Sequence, residues 1–146
     1  MTMGKTILLV EDSAEAVELT RYAFSECARG VQVVVASDGQ EALDWLTGTG
    51  KYEGRNADER PDLVLLDLKL PKVSGFEVLE RMRNDKRTRV VPVVMLTVSR
   101  LKSDIERAYG LGANSYLVKP LEFEKYSELV FRLCDCWLYM NERPYP

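Results

Sequence analysis

The stretch Leu65-Leu66-Asp67-Leu68-Lys69-Leu70-Pro71 (LLDLKLP) decides the fold. The apolar run Leu63–Leu66, inside the strand read over Asp62–Asp67, has no polar alternation, so it reads as covered on both faces, and it ends on a carboxylate. A charge held at such a position costs several kcal/mol unless it is paired, hydrogen-bonded or bound to a cation. The rest of the chain must supply that compensation.

Working outward, strands and helices alternate. Lys5–Val10 (KTILLV) is β-branched and apolar. Glu11-Asp12-Ser13 follow, then a helical stretch to about Arg29 with Val17, Thr20, Phe24 and Cys27 at helical spacing. Val31–Ala36 (VQVVVA) predicts a second strand. Asp38 with Glu41 forms a capping box that opens a helix through Ala42, Trp45 and Leu46. The polar, glycine-containing Gly48–Pro61 predicts a long surface loop. Asp62–Asp67 is the third strand, and Ser74 with Glu77 caps a helix through Val78, Leu79 and Met82. Val91–Thr97 is the fourth strand, with Pro92 near its start. Ser103 with Glu106 marks another capping box, on a helix ending near Gly110-Leu111-Gly112. Asn114–Val118 is a short fifth strand, and a final helix runs from about Glu122 to Tyr139. Five near-continuously apolar strands alternating with five helices predict a doubly wound α/β fold around a parallel sheet.

Composition narrows the function. The 146 residues are 46% hydrophobic, enough for a single domain with a full core, and the net charge of −3 comes without a dense Lys/Arg cluster. A nucleic-acid footprint is therefore not expected. No apolar run reaches membrane-spanning length, and MTMGKTILLV is too short for a secretory core, so no membrane association is expected and the protein is read as cytoplasmic. Cys27, Cys134 and Cys136 make neither a disulfide framework nor a zinc site and read as small apolar helix residues. There is no histidine, which excludes Ser/His and Cys/His catalysis within this chain.

In parallel sheets ligands bind beyond the carboxyl ends of the strands. Glu11 and Asp12 follow the first strand, Asp67 the third, Thr97 ends the fourth, and Lys119 follows the fifth. Helix capping accounts for one of these residues, not five. Clustered carboxylates suit a hard divalent ion such as Mg²⁺, and Lys119 adds a fixed ammonium, so Asp67 has two sources of compensation. Carboxylate, cation, lysine and hydroxyl together point to phosphoryl chemistry with aspartate as nucleophile.

Glu11-Asp12, Asp67 with Pro71 and Gly75, Thr97, and Tyr116 before Lys119-Pro120 resemble the receiver domain of two-component response regulators, from about Lys5 to Tyr139. The resemblance implies a flavodoxin-like receiver fold with strand order 2-1-3-4-5 and a phosphoprotein that is not an enzyme in the ordinary sense. It implies Asp67 as phosphoacceptor from a sensor histidine kinase. Asp12, Glu11 (mainly through water), Asp67 and the Lys69 backbone carbonyl would hold Mg²⁺. Lys119 would pair with the phosphoryl group, the Lys119-Pro120 bond would be cis, and Thr97 and Tyr116 would form the switch pair. Two departures stand out: Val98 where the family usually has a small residue, and Lys69 close to the acceptor.

Residues 1–146 read as one receiver domain with no output module, hence a stand-alone regulator. The loop 48–61 and the extension 137–146, with its apolar Cys136-Trp137-Leu138-Tyr139-Met140, resemble the small response regulators paired with bacterial phytochrome kinases. By that resemblance a homodimer through the last helix and tail is expected. The competing readings are an aspartate-nucleophile phosphatase, a nucleotide-binding module and a receiver that never accepts phosphate. The first lacks its general acid, because Lys69 stands two residues after Asp67. For the second, Gly4-Lys5-Thr6 precedes a strand instead of following one, and Gly48-Thr49-Gly50-Lys51 lacks the spacing of a P-loop.

Overall fold

The structure, a computed structural model, describes residues 4–27 and 30–146, with Cys27 as backbone only. The last turn expected up to Arg29, and the Cys27 side chain, lie outside the described residues. In chain order the elements are β1 (Lys5–Val10), α1 (Ala14–Cys27), β2 (Val31–Ala36), α2 (Gly39–Thr47), β3 (Leu63–Leu66), α3 (Gly75–Arg83), β4 (Val93–Thr97), α4 (Lys102–Gly110), β5 (Ser115–Val118) and α5 (Phe123–Leu133). All strand pairings are parallel, in the order β2-β1-β3-β4-β5.

Strand periodicity divides the core in two. Ile7, Leu9, Leu63, Leu65, Val94 and Leu96 face one side and pack with Phe24 of α1 and with Tyr126, Val130 and Leu133 of α5. Leu8, Val10, Val64, Leu66, Val93 and Met95 face the other, against Ala42 and Leu46 of α2, Val78 and Met82 of α3, and Ala108 of α4. Burial on both faces explains why the strands read as continuous apolar runs.

Two of the three capping signals are realised. Asp38 accepts from the Glu41 amide at 2.7 Å, and Ser74 from the Glu77 amide at 3.3 Å. The Ser103–Glu106 box does not form. Helix α4 begins at Lys102, its N-cap is Leu101 without a side-chain bond, and Ser103 already lies inside the first turn. The final helix also differs from a plain α-helix. From Cys134 to Met140 it widens to π-helical geometry, closed by Asn141 N–H donating to Cys136 O at 2.8 Å.

The loop and the tail meet at the amino end of the sheet. Gly48 takes a left-handed conformation (φ 68°) that ends α2, and its N–H donates to Asp44 O. The loop contains a single 3₁₀ turn, Gly50–Tyr52. Arg55 stacks 3.5 Å over the Trp45 ring and donates to Trp45 O at 2.8 Å, tying the loop back onto α2. The tail folds back onto the domain. Leu138 is buried and Trp137 half-buried on their own domain, while Tyr139 and Met140 are exposed. Arg143 Nη1 then pairs with Asp62 Oδ1 at 2.8 Å, and the buried Tyr145 hydroxyl donates to Pro61 O at 2.7 Å. The other Asp62 oxygen accepts from Thr6 N at 2.9 Å.

Burial, followed by the nearby Asp62 carboxylate, pushes the Tyr145 hydroxyl up to about 12 from 10.0. The folded chain thus keeps a proton that the unfolded chain loses near pH 10, so Tyr145 contributes stability that falls as pH rises from 10 toward 12. Tyr145→Phe is expected to cost about 1–3 kcal/mol at neutral pH, because the buried Pro61 carbonyl loses its donor. It should also make the decline between pH 10 and 12 shallower. Urea melts of both proteins across that range check both expectations.

Candidate functional site

The strand order places β1 between β2 and β3, so the chain leaves β1 and β3 in different directions and a crevice opens between their carboxyl ends. Glu11 is fixed there by its amide, which donates to Ala36 O at 3.0 Å, and Asp67 by its own, which donates to Val10 O at 3.2 Å. The turn after Asp67 is tight. Gly75 N–H returns to Leu68 O at 3.0 Å, and a Cβ on Gly75 would stand 2.1 Å from Asp67 O. Only glycine fits that approach, which gives the Asp67–Gly75 spacing a steric cause.

Carboxylate oxygens of Glu11, Asp12 and Asp67 lie within 4.8 Å of one another. Glu11 is buried, Asp67 half-buried and Asp12 exposed. The Lys119 ammonium, whose side chain is 15% exposed, bridges Glu11 Oε1 and, at 3.1 Å, Asp67 Oδ2. Burial pulls the Lys119 pKa down, but the two carboxylates outweigh it and the net shift is upward, so the amine stays charged. Three carboxylates and one ammonium leave two negative charges on hard oxygen donors, which suits a divalent ion.

The remaining predicted residues flank this cluster. Thr97 is buried at the end of β4, and its hydroxyl oxygen accepts from Ser99 N at 3.5 Å. Tyr116 is half-buried against the core on the α2–α3–α4 side, and its hydroxyl donates to Ser99 O at 2.9 Å. Lys69 N–H donates to Asp67 Oδ1 at 3.3 Å, while its side chain is exposed. Val98 is also exposed. The expected cis bond at Lys119-Pro120 is not present. No peptide bond among the described residues is cis, and trans is the intrinsically favoured isomer. Lys119 N–H still donates to Thr97 O at 2.8 Å, which holds the lysine at the strand end without it.

Sequence reading missed Ser99 and Asp104. The Ser99 hydroxyl donates to Asp104 Oδ2 at 2.6 Å and accepts from Leu101 N at 3.3 Å. A serine five residues before an aspartate has no distinctive spacing, so nothing in the sequence marked it.

The profile of the response regulator receiver domain matches residues 7–131. The chain belongs to the response regulator receiver family. Receiver domains bind Mg²⁺ at an acidic site and interact with sensor histidine kinases. This receiver is 41% identical over 140 residues to "Probable methanogenesis regulatory protein FilR2" of Methanothrix harundinacea, covering 96% of this chain and 88% of that one. Among solved structures, the phosphorylated cyanobacterial phytochrome response regulator RcpA matches with a TM-score of 0.90 at 35% identity, over 97% of this chain and 99% of that one. The Mn²⁺-bound form of Rcp1, a response regulator of Synechocystis, matches with a TM-score of 0.87 at 34% identity, over 96% and 99%. The receiver is thus a two-component signalling protein with phytochrome-associated homologues. No described helix is long and apolar enough to cross a membrane.

Removing the lysine should expose the electrostatic tension in the site. Lys119→Met is expected to cost about 3 kcal/mol, because it leaves Glu11 and Asp67 without their shared cation. Adding Glu11→Gln should return part of that loss. Chemical denaturation of the single and double variants measures both.

Proposed function

We propose that this receiver accepts a phosphoryl group from a sensor kinase phosphohistidine onto Asp67, in a Mg²⁺-dependent step, and that Thr97 and Tyr116 convert the change into a new protein-binding surface. The observation that carries this reading is Asp67 held between Lys119 and two further acids at the carboxyl edge of the sheet. An Asp67 oxygen attacks phosphorus, and the new O–P bond forms as the P–N bond breaks. The imidazole nitrogen keeps the bonding electron pair. That imidazole belongs to the kinase, since this chain has no histidine.

Each neighbour has a distinct task. Lys119 is fixed 3.1 Å from Asp67 Oδ2, where its ammonium pairs with charge arriving on the phosphoryl oxygens. Glu11, Asp12, Asp67 and the Lys69 backbone carbonyl would hold Mg²⁺, which supplies further neutralisation of the phosphoryl group when bound. The Thr97 hydroxyl, at the end of β4, donates to a phosphoryl oxygen, and Tyr116 fills the space beside it. Receiver domains are signalling proteins, not enzymes acting on a separate substrate; this one would catalyse its own phosphotransfer and autodephosphorylation. The kinase fits the phytochrome class, in line with RcpA. A phosphatase reading is disfavoured because Lys69 stands two residues after Asp67, where that class carries its general-acid carboxyl group.

Acetyl phosphate with Mg²⁺ should add one phosphoryl group to the wild-type chain by intact mass and none to Asp67→Asn or to chelator-treated protein. An unmodified wild type would identify a receiver that does not take phosphate. A homodimer through the last helix is the second element of the reading, supported by the exposed Phe131 and Met140 on that segment. Phe131→Glu with Met140→Glu is expected to bring the light-scattering mass from two chains to one. A mass unaffected by the two charges would count against this surface.

A further inference from the structure

The segment between β4 and α4 has little apolar anchorage. Val98 is 59% exposed and Leu101 63%, and in α4 itself Ala108 is the buried residue. Helix α4 also lacks a side-chain N-cap. Elements with few buried apolar contacts are set by their polar bonds, and here those bonds converge on Ser99. Its N–H faces Thr97 Oγ1 at 3.5 Å, and its carbonyl takes the Tyr116 hydroxyl at 2.9 Å. Its hydroxyl donates to Asp104 Oδ2 at 2.6 Å, within the range of a charge-assisted O–H···O⁻ bond. Ser99 therefore contacts Thr97, Tyr116 and α4 at once.

The Asp104 bond fixes the direction of that network. Once the Ser99 proton points to the carboxylate, the oxygen's lone pairs are free for Leu101 N–H, which approaches at 3.3 Å. Both bonds hold the 99–101 backbone, and with it the carbonyl that Tyr116 uses. Asp104 sits in the first turn of α4, where the helix dipole favours a negative charge. Arg107, three residues on in α4, lies 4.2 Å over the Phe76 ring of α3. The Arg107–Phe76 contact thus ties the helix to α3, and the Asp104–Ser99 bond ties it to the loop after β4.

We propose that Asp104 is a positioning residue for the switch, acting through the Ser99 hydroxyl to hold the Ser99 carbonyl where the Tyr116 hydroxyl binds it. This rests on the reading of Thr97 and Tyr116 as the pair that responds to Asp67. A loosened loop leaves a smaller fraction of molecules with Tyr116 docked, and the apparent affinity for a phosphoryl mimic falls by the same factor.

The test uses the full chain labelled with 3-fluorotyrosine, with the Tyr116 line among the seven tyrosines assigned by its loss in Tyr116→Phe. Fluorine spectra are taken without and with beryllofluoride and Mg²⁺. Asp104→Ala and Ser99→Ala are expected to shift the Tyr116 line in the free protein. They should also weaken the beryllofluoride response about three- to tenfold, the range that loss of one hydrogen bond spans. Asp104→Asn, whose amide oxygen still accepts from Ser99, should recover most of both effects. A merely structural role for Asp104 would lower the melting temperature without moving the Tyr116 line. That result, or failure of the Asn variant to rescue, overturns the proposal. If Asp104→Ala does not fold, Ser99→Ala decides alone. A wild type that ignores beryllofluoride while its Tyr116 line still shifts in Asp104→Ala rejects the phosphoacceptor reading and supports the Asp104–Tyr116 link.

Discussion

The Lys119 ammonium, shared between Glu11 and Asp67, is the contact on which the carboxyl edge of the sheet depends. It connects the ends of β1, β3 and β5, three strands that a parallel topology brings to one edge, the first two of which are followed there by mutually repelling acids. A lone carboxylate in that crevice would be expelled or protonated, and two would repel. The ammonium between them offsets that repulsion and holds them close. The same arrangement leaves an excess of negative charge facing solvent, so the feature that makes the site tolerable also makes it a place for a divalent cation.

Strand β3 shows how differently two buried-edge aspartates can be used. Leu63–Leu66 is flanked by Asp62 and Asp67, and each has a cation: Arg143 from the tail for one, Lys119 for the other. Asp62 is almost inaccessible, with one oxygen on Arg143 and the other on Thr6 N–H. It closes the amino end of the sheet. Asp67 keeps more contact with solvent, and its partners are the Lys119 ammonium and the Lys69 amide. One end of the strand is therefore saturated and the other is open to chemistry.

The region between β4 and α4 follows a third logic. It sits over a tightly packed strand yet carries its own apolar residues outward, so polar bonds through Ser99 set its conformation. A few polar bonds can be exchanged for others, whereas the close-packed apolar layers beneath cannot. Under the proposed function, change near Asp67 would reach the surface along this loop while the sheet stays fixed.

Much of this was legible in the chain itself. Apolar runs without alternation, broken by Glu11-Asp12, Asp67, Thr97 and Lys119, determined a parallel sheet with a chemical edge, because burial on both faces leaves no other place for those polar groups. Local rules also worked where the signal was local, as at Asp38 and Ser74. They failed at Ser103, where the N-cap is Leu101, two residues earlier, and Asp104 is drawn to Ser99. The trans bond at Lys119-Pro120 and the π-helical turn after Leu133 were likewise beyond local pattern. So was the return of the tail, since Arg143–Asp62 and Tyr145–Pro61 join residues more than eighty positions apart. Sequence by itself determined which residues could not be buried alone; only the tertiary structure decided which distant partner each would find, because that choice depends on where packing brings the chain back.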